Sequence, residues 1–415
     1  MNAMPGDQSL AVAERLLQPE AVVAAVPSLE AASLAHGLAG TALLHARLAT
    51  VAPIFGAAAD RHWAVAASHA RRLRAVGAGV FTTGGGLAAS LIIGTKYLSD
   101  PSAMQAPAAR AAAWLSRQAQ RVTDDLAQRR RDGDPHIRRA GYDTINGLAG
   151  IGRVLLAAVD QPAAESGLIR ALETLIKMIM TGYGTRPGWW LPASLHPPRV
   201  KVDQSGSAAT GMAHGIAGPL AFLSLACTRG WAIPGQYDAI RQVSQWLLDW
   251  KADGAWQWPT SISGSELDAG SAHPTGRQDA WCYGTPGISA ALGLAAQALG
   301  ESALAEASDA AMNSLAARAA HTWDADGPTL CHGHAGILQC ATNRQPKVAS
   351  KAAAVINAAF DPSRPFAIPH TDNGAIEDHP GFLTGAAGTA LALAQHGRLP
   401  APVVPDPWDC VLLLS

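Results

Sequence analysis

The sequence predicts an all-α fold, an α/α toroid in which seven inner and seven outer helices form a double ring. Three observations support this prediction: a Gly-x-x-Gly element that recurs about seven times, an apolar segment after each copy, and amphipathic segments between the copies. We expect residues 1–415 to form this one domain. An open helical solenoid is the alternative, but about seven repeats with weak end caps favour closure.

The Gly-x-x-Gly element has six clear copies and one degenerate copy, which starts with Gly86. The first glycines of all copies are Gly37, Gly86, Gly147, Gly215, Gly284, Gly333 and Gly385. Successive first glycines lie 49, 61, 68, 69, 49 and 52 residues apart. This spacing is the length of a helical hairpin with its loops, and it is typical of a repeat architecture.

Two kinds of helix are predicted between these glycines. Segments that follow a copy, such as TALLHARLA and IGRVLLAAV, are nearly free of charge, as helices buried on all sides are. Segments such as GLIRALETLIKMIM place apolar residues three and four apart, with charges on the other face. Two long charge-free stretches, Ala75–Thr95 and Gln204–Thr228, are interpreted as loops leading into buried helices rather than as a transmembrane pair.

Composition excludes several classes of protein. Hydrophobic residues make up 48% of the chain and charged residues 15%, which favours a large core over disorder. The net charge is -1 and no long basic run occurs, so we expect no nucleic-acid partner. The N-terminus does not look like a secretory signal, and five cysteines do not make a disulfide scaffold. We therefore expect reduced thiols in the cytoplasm.

Cys282, Cys331 and His332 form the strongest functional signal. Each cysteine stands two residues before the first glycine of its copy, and the two copies are consecutive. Neighbouring inner helices would therefore bring these residues to one metal ion. Cysteine and histidine are zinc ligands, and a zinc with three protein ligands and an open fourth position is catalytic. Buried thiols and a core histidine are the structural alternative.

The remaining cysteines predict no chemistry. Cys227 and Cys340 lie inside apolar segments, where packing is the better interpretation, and Cys410 has no motif around it. Two thiolates would make a bound zinc a weak Lewis acid. Such a zinc still leaves a third, bound thiolate nucleophilic, so thiol chemistry is favoured over hydrolysis.

Histidines at the same repeat position are candidates for proton transfer. His214 stands where His332 does, just before a first glycine, and an imidazole there can exchange protons near neutral pH. A packed core histidine is the alternative, and His36 shares the same position. Asp143 precedes Gly147 by four residues, where helix-start carboxylates are common. His334, inside its own element, is expected to point away from His332.

Two long connections, 185–207 and 253–281, are rich in proline, glycine and aromatic residues. They are predicted to be loops, and long loops on one face of a repeat scaffold usually carry binding.

The motifs WCYG at Trp281–Gly284 and CHG at Cys331–Gly333, together with the repeats, resemble the lanthionine synthetase C-like family. The resemblance runs from SLAHGLAG to GFLTGAAG, nearly the whole chain. It implies an α/α toroid with one Zn²⁺ bound by Cys282, Cys331 and His332. It also implies that His214 and Asp143 are acid/base residues and that Tyr283 lines the same site.

The resemblance further implies a reaction, in which a peptide cysteine adds to dehydroalanine or dehydrobutyrine to form a lanthionine or methyllanthionine thioether. It implies a dehydrated precursor peptide as substrate, a dehydratase and an exporter as partners, and a cytoplasmic protein at the inner membrane face. One position departs from the family. Gln278 stands where the family usually has an arginine, and Arg277, one residue earlier, is the candidate to replace it.

Two other functions stay open from the sequence. One is a family member that binds thiols or a partner without forming rings, and the other is a different zinc enzyme on the same fold.

Overall fold

The computed structural model describes residues 4–72, 77–134, 136–182, 184–197, 202–272, 275–276, 278–372 and 374–415. The helices, in chain order, are α1 (Pro5–Arg15), α2 (Pro19–Ala25), α3 (Leu38–Leu48), α4 (Pro53–Arg72), α5 (Thr83–Gly94), α6 (Ser102–Arg131), α7 (Arg139–Tyr142), α8 (Leu148–Ala157), α9 (Pro162–Ile179), α10 (Ala217–Thr228), α11 (Gln236–Asp249), α12 (Gly264–Ala269), α13 (Thr285–Leu299), α14 (Ser302–Ala317), α15 (His334–Ala341), α16 (Pro346–Ala359) and α17 (Ala386–His396). The strands β1 (Ser207–Ala209) and β2 (Ser261–Ser263) form one antiparallel pair, and β3 (His370–Asp372) and β4 (Ala375–Glu377) form another.

Within these residues, seven helices form an inner ring: α3, α5, α8, α10, α13, α15 and α17. Each packs against the next in this order, and α17 packs against α3, so the ring is closed. Alanine, leucine and glycine dominate these helices, and every residue of α8 is buried. The closed ring confirms the predicted α/α toroid and excludes the open solenoid.

The outer ring covers the inner one with amphipathic helices. Six of its helices, α4, α6, α9, α11, α14 and α16, each follow an inner helix in the chain and pack on it. The seventh is α1, which packs on the last inner helix, α17. Ser9 in α1 donates a hydrogen bond to the carbonyl of Ala390 at 2.8 Å. The outer helix α1 and the inner helix α17 thus form the seventh helix pair of the double ring, although they lie at opposite ends of the described chain.

A belt of backbone hydrogen bonds joins the segments that precede the inner helices. The N–H of Cys282 donates to the carbonyl of Cys331 at 3.2 Å, and the N–H of Cys331 donates to Leu383 at 2.8 Å. Further links of the belt run from Leu383 to Ala35, from Ala35 to Phe81, from Thr144 to Ala213 and from Ala213 to Cys282. Neighbouring hairpins are therefore held at backbone distance where their inner helices begin.

The second glycine of each element allows this close approach. A Cβ atom on Gly287 would overlap the carbonyl of Trp281 and lie 3.1 Å from Cβ of Met212 in the neighbouring hairpin. A Cβ atom on Gly336 would lie 3.0 Å from Cβ of Trp281. Only glycine leaves the space for these contacts, so the element sets the spacing between inner helices.

The degenerate copy lies three residues away from its predicted alignment. The sequence makes Gly86 a first glycine, but the structure uses it as a second glycine. A Cβ atom on Gly86 would lie 2.5 Å from the backbone nitrogen of Leu34 in the neighbouring hairpin. Thr83, the first residue of α5, takes the position of the first glycine. The sequence alone does not reveal this register, because each of the three consecutive glycines in Gly84–Gly86 can be aligned with the first glycine of the other copies.

The two long loops pair with each other on the side of the ring where the inner helices begin. Ser207 in β1 lies opposite Ser263 in β2. Arg186 of the first loop binds both carboxylate oxygens of Asp268 in the second, at 2.7 and 2.8 Å. Residues 198–201, 273–274 and 277 of these loops lie outside the described residues.

At the opposite end of the ring, residues 405–415 form a plug between the inner helices. The Asp406 carboxylate is 3% exposed and binds three cations, Lys96, Arg153 and Arg229, at 3.1, 2.9 and 3.0 Å. The indole N–H of Trp281 donates to the carbonyl of Leu412 at 2.9 Å. The plug therefore contacts Trp281, the residue before Cys282, from the end of the ring opposite the long loops.

The charge-free stretches contain α5 and α10, two buried helices of 12 residues each. In the second stretch, the short strand β1 precedes the helix. Among the residues with described positions, no helix has both the length and the apolar character needed to cross a membrane.

We expect Gly287→Ala to destabilise the ring by about 1–3 kcal/mol, because the added methyl group has no room. Denaturant unfolding measures this change. Gly293→Ala in the same helix is the control. The atoms nearest to its methyl group would be Oγ of Ser308 at 3.0 Å and Nη2 of Arg344 at 3.1 Å, both at the ends of side chains, so we expect a change within about 1 kcal/mol. Equal effects of the two variants would contradict the close approach described above.

We expect Asp406→Asn to cost about 3–5 kcal/mol near pH 7, since it leaves the fully buried Arg153 without its carboxylate. Burial favours the neutral acid, but Arg153, Lys96 and Arg229 outweigh it and lower the pKa of Asp406. Stability from a lowered pKa is present above the unfolded-state value and is lost as pH falls through the folded-state value. The difference in the free energy of unfolding between Asp406→Asn and wild type should therefore become smaller as the pH is lowered. The exposed Asp125→Asn is the control, with an expected effect within about 1 kcal/mol.

Candidate metal centre

The structure brings Cys282, Cys331 and His332 together. One possible ligand atom from each residue lies within 4.8 Å of the other two. Cys282 and Tyr283 directly precede α13, and Cys331 and His332 directly precede α15, which packs against α13. The belt hydrogen bond between Cys282 and Cys331 is the local cause of the convergence.

This donor set fits a zinc ion. Zinc binds thiolate sulfur at about 2.3 Å and imidazole nitrogen at about 2.0–2.1 Å, so ligand atoms of one tetrahedral site lie roughly 3.5–4 Å apart. Small side-chain rotations are enough to bring the three atoms to that separation. The site also lies at the N-terminal ends of two helices, where the helix dipole favours thiolates over thiols.

Two carboxylates approach the same histidine. Oxygens of Asp326 and Asp372 and a ring nitrogen of His332 lie within 4.8 Å of one another, and the N–H of Asp326 donates to the His332 carbonyl at 2.8 Å. The group of Asp326, His332 and Asp372 is more exposed than the group that contains the cysteines, and its carboxylate oxygens are hard metal ligands. Carboxylates commonly hold metal-binding histidines in place, which these two can do for His332.

These carboxylates were not predicted from the sequence, and neither was His370, whose ring centre lies 5.2 Å from that of His332. Burial, with the neighbouring His332 and His379, lowers the pKa of His370 to about 4, so this imidazole is neutral at pH 7. Asp326 lies six residues before His332, and a search for carboxylates near the CHG motif could have found it. His370 comes from a hairpin with no repeat signal.

His214 and Asp143 form a close pair. Nδ1 of His214 lies 2.6 Å from Oδ2 of Asp143, whose other oxygen accepts the N–H of Asn146 at 2.7 Å. The Asp143 side chain is fully buried, whereas that of His214 is 29% exposed. The carboxylate accepts at Nδ1 and thereby orients the imidazole, which leaves Nε2 for other partners. Tyr142 donates to the carbonyl of His214 at 3.1 Å and holds its backbone.

Tyr283 directly follows Cys282 in the chain and lines the same cavity as His214. Burial raises the pKa of Tyr283; Arg139 opposes this change, and Cys282, Asp143 and Cys331 add to it. These charges act on one hydroxyl from both sides of the site. The phenol therefore stays protonated at neutral pH. Its ring packs on Gly211, where a Cβ atom would overlap it.

A cavity of about 670 Å³ opens beside His214 and Tyr283. Its walls include residues of both long loops and of the turn before α8. The lining residues are Arg138, Arg139, Ala140, Asn146, Leu195, Pro197, Val202, Ala209, His214, Thr260, Ser261 and Tyr283. This volume lies in the range of small-molecule and cofactor sites, and it accommodates a short stretch of peptide.

The other predicted residues lie apart from this centre or outside the description. The Nδ1 atom of His334 lies 2.8 Å from the carbonyl of Gly327, and the ring of His334 stacks on Trp323, so it points away from the cysteines. His36 lies 3.1 Å from the Thr384 hydroxyl, in a different hairpin. Arg277 is outside the described residues.

The three remaining cysteines are packed among apolar residues. Burial raises the pKa of Cys227 to about 11 and those of Cys340 and Cys410 to about 12, so these thiols are neutral.

Comparison with known proteins gives two matches. The profile of the family described as "Lanthionine synthetase C-like protein" matches residues 28–402. The solved structure of "Nisin cyclase" is similar, with a TM-score of 0.76 and 19% sequence identity over 93% of this chain and 93% of that chain. No curated protein sequence matches. At this identity, the structural likeness shows the fold.

We expect the purified protein to bind one zinc ion, measured by elemental analysis, and Cys331→Ala to lose it because one thiolate is removed. Cys227→Ala is the matched control, since Cys227 lies at the C-terminal end of α10, whereas the candidate ligands precede the N-terminal ends of α13 and α15. Equal zinc content in the two variants would contradict the assignment of Cys331.

Proposed function

Because the chain belongs to the lanthionine synthetase C-like family, we propose that it is a zinc-dependent lanthipeptide cyclase. Its substrate would be a precursor peptide in which serine and threonine have been dehydrated. Its product would contain lanthionine or methyllanthionine thioethers. One observation carries the proposal: His214, paired with Asp143, and Tyr283 line a peptide-sized cavity, and Tyr283 directly follows the donor residue Cys282 in the chain.

Cys282, Cys331 and His332 would hold the zinc ion. When bound, it would supply a positive centre that keeps a peptide cysteine as its thiolate at neutral pH. Water activation is disfavoured as its role, since two protein thiolates already neutralise the charge of the ion.

The bond changes define what the other residues must do. The thiolate sulfur forms a bond to the β-carbon of the dehydroamino acid. The electron pair of the Cα–Cβ double bond then moves towards the neighbouring carbonyl, which gives an enolate. A proton must reach Cα to complete the reaction. No oxidant or reductant is needed.

His214 is the proposed proton donor to Cα. Its Nδ1 faces Asp143 at 2.6 Å, so Nε2 is the atom that can face the cavity. Asp143 would stabilise the protonated imidazole before the transfer, as a buried carboxylate does beside a catalytic histidine. Tyr283, protonated at neutral pH, would donate a hydrogen bond to the substrate.

Membership of the family also suggests partners. A dehydratase must supply the dehydroamino acids, and an exporter would remove the product. We propose that the protein works in the cytoplasm with these two partners at the inner membrane face. This part of the proposal rests on the family alone.

We expect the zinc-loaded protein to consume the free thiols of a dehydrated precursor peptide, measured by thiol alkylation and mass spectrometry. Cys331→Ala should leave all thiols reactive. His214→Asn should retain zinc but lower kcat by about 10²–10⁴-fold, since a positioned proton donor contributes that much.

His69→Asn is the matched control, because His69 lies on the outer helix α4. It should react at the wild-type rate. Wild-type protein that carries zinc but leaves the thiols of its precursor untouched would contradict the cyclase proposal and favour a thiol-binding or partner-binding role. Full activity of His214→Asn would contradict only the assignment of the proton donor.

A further inference from the structure

Arg139 is placed beside the His214–Asp143 pair by a single turn of helix. It is the first residue of α7, and its carbonyl accepts the N–H of Asp143 at 2.9 Å. Residues four apart share one face of a helical turn, so Arg139 and Asp143 are presented to the same side. Any shift of this turn would move both residues together.

The guanidinium of Arg139 contributes to the wall of the cavity that also contains His214 and Tyr283. One terminal nitrogen, Nη2, lies 3.3 Å from Nδ1 of His196. Burial, and then Arg139 itself, lowers the pKa of His196, so this neighbour is neutral and supplies no counter-charge to Arg139. Among the residues with described positions, the buried Nε of Arg139 has no hydrogen-bond partner.

The positive charge of Arg139 acts on the tyrosines of the site. It opposes the rise in pKa that burial causes at both Tyr283 and Tyr142. Arg139 therefore lies close enough to act on a group bound next to Tyr283. The side chain of Gln278, in contrast, donates to Thr275 and Gly276 of its own loop, at 3.3 and 3.0 Å.

We propose that Arg139 is a further catalytic residue, whose guanidinium binds the carbonyl oxygen of the dehydroamino acid and stabilises the enolate. This inference rests on the proposed cyclase function. As the sulfur–carbon bond forms, the electron pair of the double bond moves onto that oxygen, and Arg139 donates hydrogen bonds to it. Arg139 keeps its own protons throughout, and Cα receives its proton from His214. A fixed cation is favoured here because negative charge develops on the oxygen only after the attack.

The test compares Arg139→Gln and Arg139→Lys with wild type on the same dehydrated peptide. Arg139→Gln should lower kcat by about 10²–10³-fold with KM changed only a few-fold, the loss seen when one donor to such an oxygen is removed. Arg139→Lys should recover part of the rate, since it keeps the charge but not the fork of donors. Arg131→Gln is the control, because Arg131 is exposed on α6 and donates to Gln128 of the same helix.

A second readout separates catalysis from folding. Cobalt-substituted protein should show the same thiolate-to-cobalt absorption band with the peptide cysteine in Arg139→Gln as in wild type, because thiolate binding does not involve Arg139. Loss of this band, or of thermal stability, would assign Arg139 a structural role and overturn the proposal. Wild-type kcat in Arg139→Gln would also overturn it, while the cyclase function stands. An inactive wild type would instead remove the proposed function, and this inference with it.

Discussion

The close approach of neighbouring hairpins at the mouth of the ring is the constraint on which the site depends. The second glycines, such as Gly287 and Gly336, remove the side-chain atoms that would separate the inner helices. The backbone belt then fixes the segments before those helices in one register. Cys282 and Cys331 are the two belt residues that carry sulfur, so a structural hydrogen bond also sets the spacing of two metal ligands.

Burial and nearby charges fix the protonation state of two groups around the site. Burial and nearby anions keep the phenol of Tyr283 protonated, and burial with the neighbouring imidazoles of His332 and His379 keeps His370 neutral. The fully buried Asp143 is tied to both His214 and a backbone N–H. The plug contributes from the other end, through the hydrogen bond of Trp281 to Leu412. The metal ligands are thus supported from the cavity side and from within the ring.

The sequence predicted the parts of this protein that repeat or that follow a short motif. The inner helices, the closed ring and the grouping of Cys282, Cys331 and His332 could be predicted because each depends on local spacing. The role of α1 as seventh outer helix could not, since it has no glycine element and pairs with a helix at the far end of the chain. Arg139 and Asp326 carry no repeat signal, although they lie only four residues before Asp143 and six before His332. Their approach to the site depends on the local turns, which the repeat does not specify. The catalytic roles of His214, Asp143 and Tyr283 stay predictions.

Closure also changes how the protein loses its structure. In an open array, the end repeats have one neighbour and unfold first, so stability is roughly a sum over repeats. Here every inner helix has a neighbour on both sides. Each hairpin must therefore lose two interfaces to unfold, so none of the seven is an easy starting point for unfolding. An ion bound between two adjacent hairpins would therefore stabilise the entire ring. At about 1,000 times its dissociation constant, it would add about 4 kcal/mol to the unfolding of the whole domain as a single cooperative unit.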